Sequence, residues 1–162
     1  MNNKYLLTSR FNNETNEENK KYIKKNEKLG CVYCSPEKIS KKINDNAILF
    51  ILEMNNDTNK IIGIGMVKNS PICGRYSVYK NGNYNRFVFT GKYRIDRNEM
   101  NELEENVMKA FDILCFTGNR HMKRGQGLKS FPTEMLNSIK KVIDLIEFIT
   151  EMFKKRFIEK TK

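Results

Sequence analysis

The sequence lacks the features that mark membrane proteins, secreted proteins and nucleotide hydrolases. No apolar run approaches the roughly 18 residues of a membrane-spanning helix. The N-terminal residues MNNKYLLTSRF lack the long apolar segment of a signal peptide. No Walker-type Gly-Lys-Ser pattern occurs, so nucleotide hydrolysis is not indicated. These absences predict an intracellular protein whose four cysteines are reduced thiols.

Residues that bind metals are also scarce. The chain has one histidine, His121, and one CxxC pair, Cys31 and Cys34. The second pair of a typical zinc site is missing, because Cys73 and Cys115 follow at irregular spacing. The sequence therefore predicts neither a metal nor another cofactor.

Acidic residues are outnumbered, and the charge is unevenly distributed along the chain. The 162 residues suffice for one domain with a core, and the formal net charge is +11. Residues 58–97 carry eight basic residues and one acid, and residues 115–133 carry four basic residues and no acid. Between them, residues 98–114 are acidic. Two basic blocks suit a polyanion, so nucleic acid is the expected partner, and a solvated basic face without a partner is the alternative.

The rest of the chain is predicted to be organised around residues 47–69. Residues 47–54 are apolar at nearly every position, which is typical of a central strand buried on both faces. A polar turn follows, and then a second strand with Gly63 and Gly65 at alternate positions. These glycines remove side chains from one face, so something must come close to it. Either packing within the protein or a flat ligand, with the hairpin as the floor of its pocket, would explain them.

The remaining pattern predicts an α+β fold. It consists of a small, strongly bent, mostly antiparallel sheet or barrel, with flanking helices and a C-terminal helical pair. We expect a β-rich core over residues 1–97, on which a helical segment, residues 98–162, packs as one domain. Strands are predicted at 4–9, 75–80, 84–90 and 92–95, with a turn at Asn81-Gly82 and a bend at Gly91. Helices are predicted at 12–28, at 37–43 after Ser35 and Pro36, at 98–114, and from 131 almost to the C-terminus.

A long loop, residues 116–131, separates the last two predicted helices. It contains three glycines, four basic residues and the single histidine. Backbone amides and cations of such a loop can approach phosphate together, although an ordinary exposed loop is the alternative. The predicted phosphate-binding residues of the chain are Lys68, Arg75, Arg86, Arg120, His121, Lys123 and Arg124.

The order of motifs resembles a known fold. A strand, KYLLTS, and a polar helix precede the step Tyr33-Cys-Ser-Pro36, and the apolar strand ILFILEMNN and the strand KIIGIGMVKN follow. Over roughly residues 2–97 this order is similar to the PUA-like superfamily, in particular to YTH and EVE domains. The fuller pattern, with EMNN, KIIGIG, NYNRFVF and HMKRGQG, resembles a family carried by large DNA viruses. That resemblance implies a location in the host cytoplasm or nucleus.

The resemblance implies a reader of modified or flipped bases in RNA or DNA. YTH and EVE domains hold a base in an aromatic cage and grip the backbone with a basic surface. The base-binding residues implied here are Tyr33, Cys34, Ser35, Met54, Asn55, Asn56 and Tyr84. YTH cages use tryptophan, which this sequence lacks. The cage would therefore consist of Tyr and Phe, with Tyr33 joined by Tyr76, Tyr79 or Tyr84.

Two other functions remain open at this point. Some PUA-like relatives of the ASCH type are nucleases or amide hydrolases that act on modified nucleosides. An enzyme of this type would need a general acid or base, such as His121 with Lys123 or Arg124, or Glu53. The third possibility is an interaction module that forms a homodimer or binds a protein through its last helix. A pocket between Tyr33, the end of the apolar strand and the long loop at residues 116–131 would favour the base reader.

Overall fold

The computed structural model describes residues 3–73 and 77–158 of the chain. The strands are β1 (Lys4–Phe11), β2 (Cys31–Ser35), β3 (Ile48–Asn55), β4 (Lys60–Lys68), β5 (Ile72–Cys73), β6 (Phe87–Gly91), β7 (Tyr93–Asp96) and β8 (Lys129–Ser130). The α-helices are α1 (Asn13–Lys25), α2 (Glu102–Phe116), α3 (Thr133–Lys140) and α4 (Leu145–Phe153). A π-helical turn at Lys154–Ile158 continues α4. None of the described helices is long and apolar enough to cross a membrane.

A five-stranded sheet in the order β7-β4-β3-β1-β8 forms the centre of the molecule. The strand β3 is its middle strand, antiparallel to β4 and parallel to β1. Seven of the eight residues of β3 are buried, because both faces of the sheet are covered. The predicted central hairpin is therefore confirmed.

Each face of this sheet packs against a different layer. Phe50 and Leu52 of β3 point toward α2, α3 and α4 and share a core with Phe111, Ile149 and Phe153. Alternate residues of a strand point to opposite faces. Leu49 and Ile51 accordingly face the second sheet, in the order β2-β6-β5, and pack with Val32 and Val88. The five-stranded sheet thus lies between helices and a smaller sheet.

The chain passes from the small sheet to the large one at Gly91, where β6 ends and β7 follows. A Cβ atom on Gly91 would collide with the carbonyl oxygen of Met66 in β4, so a side chain has no room there. The predicted bend at Gly91 is correct. The described strands form two mostly antiparallel sheets and do not close into a barrel.

The protein's own side chains fill the space above the two alternate glycines of β4. A Cβ atom on Gly65 would lie 2.7 Å from two ring carbons of Tyr33, and one on Gly63 would lie 2.9 Å from Cζ of Arg94. The glycines therefore serve packing. The alternative, a free pocket floor over this face, is wrong because Tyr33 and Arg94 occupy that space.

The predicted short helix at residues 37–43 is wrong. Ser35 Oγ donates a hydrogen bond to the carbonyl of Glu37 (2.7 Å), and Ser40 Oγ accepts one from the backbone of Lys42. Residues 37–43 form turns and irregular structure instead. Serine side chains that bond nearby backbone groups compete with helix formation, and this segment is too short to overcome that competition.

The hairpin predicted at Asn81-Gly82 is also wrong. Residues 77–80 form no strand, and Gly82–Asn85 is a 3₁₀ helix. The buried side chain of Asn85 accepts hydrogen bonds from the backbone of Val78 and Tyr79 and donates one to the carbonyl of Tyr79. A side chain thus supplies the partners that a neighbouring strand would have supplied.

The last predicted helix is divided into α3 and α4. The side chain of Asp144 accepts a hydrogen bond from the backbone of Glu147 and caps a new helix. Val142 lies within the stretch predicted as one helix and is 90% exposed at the break. Asp144 with Glu147 three residues later was the sequence signal for this restart.

The contact of Tyr33 with β4 predicts that alanine at Gly65 destabilises the protein much more than alanine at Gly82. We expect Gly65→Ala to lower the free energy of unfolding by about 2–3 kcal/mol, because the methyl group overpacks a fully buried ring. Gly82→Ala is the control, since a Cβ atom there meets nothing within 4 Å. It should change stability by less than about 0.5 kcal/mol. Urea unfolding measures both, and equal stabilities of the two variants would contradict the packing role of Gly65.

Candidate functional site

A cavity of about 350 Å³ opens at the C-terminal end of β1. It lies between this strand end, β2, the start of α1 and the basic loop, which we define as residues 117–128. The lining residues are Ser9, Arg10, Phe11, Asn12, Thr15, Tyr33, Cys34, Asn56, Tyr79, Gly125, Gln126 and Gly127. Tyr33, Asn56 just after β3, and the basic loop all contribute to its wall, which is the arrangement that would favour a base reader.

The first wall forms where β1 leads into α1. Asn12 caps the helix, because its side chain accepts a hydrogen bond from the backbone of Thr15 at 2.8 Å. The hydroxyl of Thr15 in turn accepts one from the backbone of Asn12 at 3.0 Å. This reciprocal cap fixes the direction in which the chain leaves β1 and places both side chains at the cavity.

The basic loop forms the opposite wall and is held at both ends. Near its start, the backbone of Met122 donates a hydrogen bond to the carbonyl of Cys115 at 2.6 Å, and the Met122 side chain is buried beneath the helices. At its end, Leu128 is buried between the two sheets. The strand β8 then pairs with Leu7 and Thr8 of β1. The loop thus runs from one core to the other across the end of the large sheet.

Two polar side chains tie the sheet to the basic loop. Arg10 Nε donates a hydrogen bond to the carbonyl of Met122 at 2.6 Å, and Asn56 Nδ2 donates one to the carbonyl of Lys123 at 3.1 Å. Among the described residues, Arg10 Nη1 and Asn56 Oδ1 are the buried side-chain atoms without a hydrogen-bond partner. Both side chains contribute to the cavity wall, but these two atoms are themselves buried beneath its surface.

Three aromatic residues, Phe11, Tyr33 and Tyr79, contribute to the cavity wall. The Tyr33 hydroxyl donates a hydrogen bond to the carboxylate of Glu53, and the Tyr79 hydroxyl accepts one from Asn19 Nδ2 at 2.9 Å. Burial raises the pKa of both tyrosines well above the ordinary value. Both hydroxyls are therefore protonated at physiological pH. The side chains are nearly buried, with Tyr33 1% and Tyr79 9% exposed, so only their edges reach the cavity.

Cys34, which lines the cavity, is an unreactive thiol at neutral pH. Burial raises the pKa of Cys34 to about 12, and the same cause raises the pKa of Cys31 to about 12. Both thiols thus stay protonated at neutral pH, and the thiolate is the nucleophilic and metal-binding form. No cluster of three or more potential metal ligands occurs in residues 3–73 and 77–158.

The residues predicted to bind a base divide into two groups. Tyr33, Cys34 and Asn56 line the cavity, and Ser35 packs against Gly127 at its edge. The other two described side chains lie elsewhere. Met54 is buried in the helical core, and Asn55 accepts hydrogen bonds from the turn after β3. The side chain of Tyr84 lies outside the described residues, as does Tyr76.

The residues predicted to bind phosphate are also dispersed. Arg120, His121, Lys123 and Arg124 belong to the basic loop, and exposed Arg86 precedes Phe87, the partner of Ser35 in β6. Lys68 pairs with Ile48, whereas the cavity lies beyond the other end of β3. At about 3.3 Å per residue, Lys68 is about 20 Å away from that end. Arg75 lies outside the described residues.

Sequence reasoning missed Arg10 and Phe11. Their side chains reach the cavity because β1 pairs in parallel with β3, with Arg10 opposite Met54 and Phe11 opposite Asn55. The backbone of Asn56 then donates a hydrogen bond to the carbonyl of Phe11 at 2.7 Å. The sequence feature that could have pointed to them is that both β1 and β3 run into polar residues at their C-terminal ends. The parallel pairing itself has no local sequence mark.

Glu53 and His121 do not form an acid–base pair. The Glu53 carboxylate is buried between the sheets, where it binds the Tyr33 hydroxyl and the guanidinium of Arg94, with an Nη2–Oε1 distance of 2.6 Å. His121 Nδ1 accepts a hydrogen bond from the backbone of Lys123 in the basic loop. Glu53 lines a second cavity, beside α1, and His121 lines neither that cavity nor the one at the end of β1.

Comparison with known proteins adds no assignment. No protein-family model matches the chain, and no curated protein matches it significantly. The function must therefore be inferred from the cavity and its surroundings.

The contact between the basic loop and β2 predicts that alanine substitutions at two glycines with positive φ reduce stability by different amounts. Gly127 (φ 69°) would place a Cβ atom 2.9 Å from Ser35 Cβ and Pro36 Cδ, whereas Gly118 (φ 79°) faces open space. Both alanine variants should lose about 1–2 kcal/mol through the left-handed backbone. Gly127→Ala should lose about 1–3 kcal/mol more through steric overlap. Thermal unfolding compares them, and equal losses would show that the loop moves away from Ser35 freely.

Proposed function

We propose that the chain is a nucleic-acid-binding module of the PUA-like type, which accepts a single flipped or modified base into the cavity. The observation that carries this proposal is a cavity whose wall combines three aromatic residues with polar side chains, directly beside the basic loop. A base offers a flat apolar face together with an edge of donors and acceptors. A base can therefore contact the aromatic residues with its face and the polar side chains with its edge at the same time.

The size of the cavity supports a ligand of this kind. A volume of about 350 Å³ lies near the lower end of the usual range for small-molecule sites, which begins at about 300 Å³. One base with its sugar outside suits such a site better than a dinucleotide does. The aromatic residues Phe11, Tyr33 and Tyr79 provide the apolar surface, and the hydroxyls of both tyrosines already have partners inside the protein.

The charge next to the cavity supports a polyanion. Exposed Arg124 directly precedes the lining residues Gly125, Gln126 and Gly127, and half-buried Lys123 precedes it. Exposed Lys129 follows the loop, and its ion pair with the exposed carboxylate of Glu37 is long, at 3.8 Å. An exposed pair of this kind is weak, so the ammonium group remains free to meet a phosphate. The backbone of a strand whose base enters the cavity would pass along these cations.

The proposal predicts that blocking the cavity mouth abolishes base-dependent binding. Gln126 is exposed and lines the cavity, so Gln126→Trp should fill the entrance without disturbing a core. Asn119→Trp is the matched control, because Asn119 is exposed in the same loop and does not line the cavity. In fluorescence anisotropy with single-stranded RNA and DNA, we expect Gln126→Trp to weaken binding about tenfold or more, with Asn119→Trp close to wild type.

The oligonucleotides should carry a single unpaired or modified base in an otherwise uniform strand, with an abasic strand as reference. Binding by the wild-type protein to none of them would refute the proposal. Binding that ignores the base and is equally strong in Gln126→Trp would show a basic surface without a base site.

A second prediction concerns the phosphates. Arg124→Ala should flatten the dependence of log K on log salt by about 0.7 for a single strand, because one phosphate contact is removed. Lys68→Ala removes the same charge at the far end of the sheet and should leave the slope unchanged. Titrations at three or more salt concentrations measure both slopes. A slope changed equally by the two variants would contradict a localised interface at the basic loop.

A further inference from the structure

A groove of about 330 Å³ lies between α2 and α4. Its walls come from residues 101–104, at the start of α2, and from residues 143–155, which run from the break before α4 into the π-helical turn. None of the described residues that line it also lines the cavity at the end of β1. The groove is therefore a surface feature separate from the proposed base site.

Apolar side chains line the groove, and one of them is left in water. Met152 is buried, and Ile143 and Phe148 are partly buried. Leu103, on α2, is 63% exposed. A single exposed leucine is common on protein surfaces. This one borders the same concave feature as three other apolar residues, so an apolar side chain of a partner would have several apolar neighbours there.

The groove is acidic, although the chain as a whole has a formal net charge of +11. We therefore call it the acidic groove. Its acidic lining residues are Glu104, Asp144, Glu147 and Glu151, and its basic one is Lys155. Glu104 is neutralised by Arg156, with an Nη2–Oε1 distance of 2.6 Å. Three carboxylates thus remain against one lysine.

Two of these carboxylates are open to a partner. Glu147 is exposed and forms no ion pair with any residue in the described part of the chain. Glu151 contacts Lys154 at 3.5 Å, but the two side chains are 45% and 46% exposed. An exposed pair of this kind contributes little, so a cation of a partner can take the place of Lys154.

The charge of the acidic groove decides which partner suits it. Its carboxylates repel phosphates, so a nucleic acid held at the basic loop gains nothing here. A second copy of the chain also fits poorly, because the apolar residues of its basic helix α1, Tyr22 and Ile23, are packed on the core between the sheets. A groove that combines apolar walls with an acidic rim is complementary to a helix with one apolar and one basic face.

We propose that the acidic groove binds a basic amphipathic helix of a partner protein. Apolar side chains at positions i and i+3 or i+4 of that helix contact Leu103 and Phe148, and lysine or arginine residues beside them face Glu147 and Glu151. The apolar contacts supply most of the affinity, and the charges fix the orientation and speed association. This inference goes beyond the proposed base-binding function and does not depend on it.

The test uses synthetic peptides of about fourteen residues, a length at which an isolated helix begins to form. The first has leucine on one helix face and lysine on the other, the second has the same composition in scrambled order, and the third has glutamate in place of lysine. In fluorescence anisotropy at constant salt, we expect the first to bind about tenfold or more tightly than the other two. A scrambled peptide that binds as tightly, or no binding of the first, would overturn the inference.

Two variants of α2 locate the apolar contact. Leu103→Ser removes the exposed leucine of the acidic groove. Ile113→Ser is the control, because Ile113 is 64% exposed on the same helix and does not line the groove. Both variants should fold, which circular dichroism checks. We expect Leu103→Ser to weaken binding of the first peptide about fivefold or more, with Ile113→Ser close to wild type. Equal effects would contradict an apolar contact in the groove.

Two further variants locate the charge. Glu147→Lys and Glu134→Lys both reverse an exposed carboxylate in the first turn of a helix, so they disturb the helix dipole alike. Of the two residues, Glu147 lines the acidic groove. We expect Glu147→Lys to weaken peptide binding about threefold or more and to reduce its dependence on salt, with Glu134→Lys unchanged. Identical behaviour of the two variants would refute selection of a basic partner.

Other occupants would give different results. A dimer of the wild-type protein that Leu103→Ser dissociates in analytical ultracentrifugation would place a second copy in the acidic groove and overturn the choice of partner. Gln126→Trp should bind the first peptide like the wild type, because Gln126 lines only the cavity at the end of β1. Failure of the base site would then leave peptide binding intact. Loss of peptide binding in Gln126→Trp would contradict two separate surfaces.

Discussion

The carboxylate of Glu53 is the group on which the contact between the two sheets depends. It is 4% exposed, it accepts a hydrogen bond from Tyr33 of the small sheet, and it binds Arg94 of the large one. A buried carboxylate without such partners would be strongly unfavourable. The glycines of β4 allow the arrangement, because Tyr33 and Arg94 need the space that side chains at positions 63 and 65 would fill.

The same tyrosine belongs to the cavity. Its hydroxyl is held by Glu53 between the sheets, while its ring contributes to the wall beside Cys34. The position of that wall is therefore set by the ionic network and not by the ligand. The opposite wall is set in a similar way by Arg10 and Asn56, which bind consecutive carbonyls of the basic loop. A ligand site built on fixed groups of this kind loses little conformational entropy on binding.

The sequence predicted what depends on local patterns. The apolar run of β3 identified the central strand, and the helices predicted at 98–114 and from 131 onward identified the helical segment. Tyr33 and Asn56, two of the residues singled out in the sequence, line one cavity, whereas the loop reaches it through Gly125, Gln126 and Gly127 and not through its predicted phosphate-binding residues. The failures involve side chains that replace backbone partners, as Ser35 and Asn85 do, and long-range pairing, as between β1 and β3. Arg10 is the clearest case, since its place in the cavity wall becomes visible only when its neighbours in space are known.

The basic loop is a span between two anchors that belong to separate cores. Met122 is embedded beneath the helices and Leu128 between the sheets, so the five residues from Lys123 to Gly127 bridge a fixed gap. The spacing of the two cores therefore sets the width of the cavity entrance. Sequence changes deep in either core, far from any ligand, would alter affinity by moving one end of this bridge. Selection on binding would then act on packing residues that never touch what is bound.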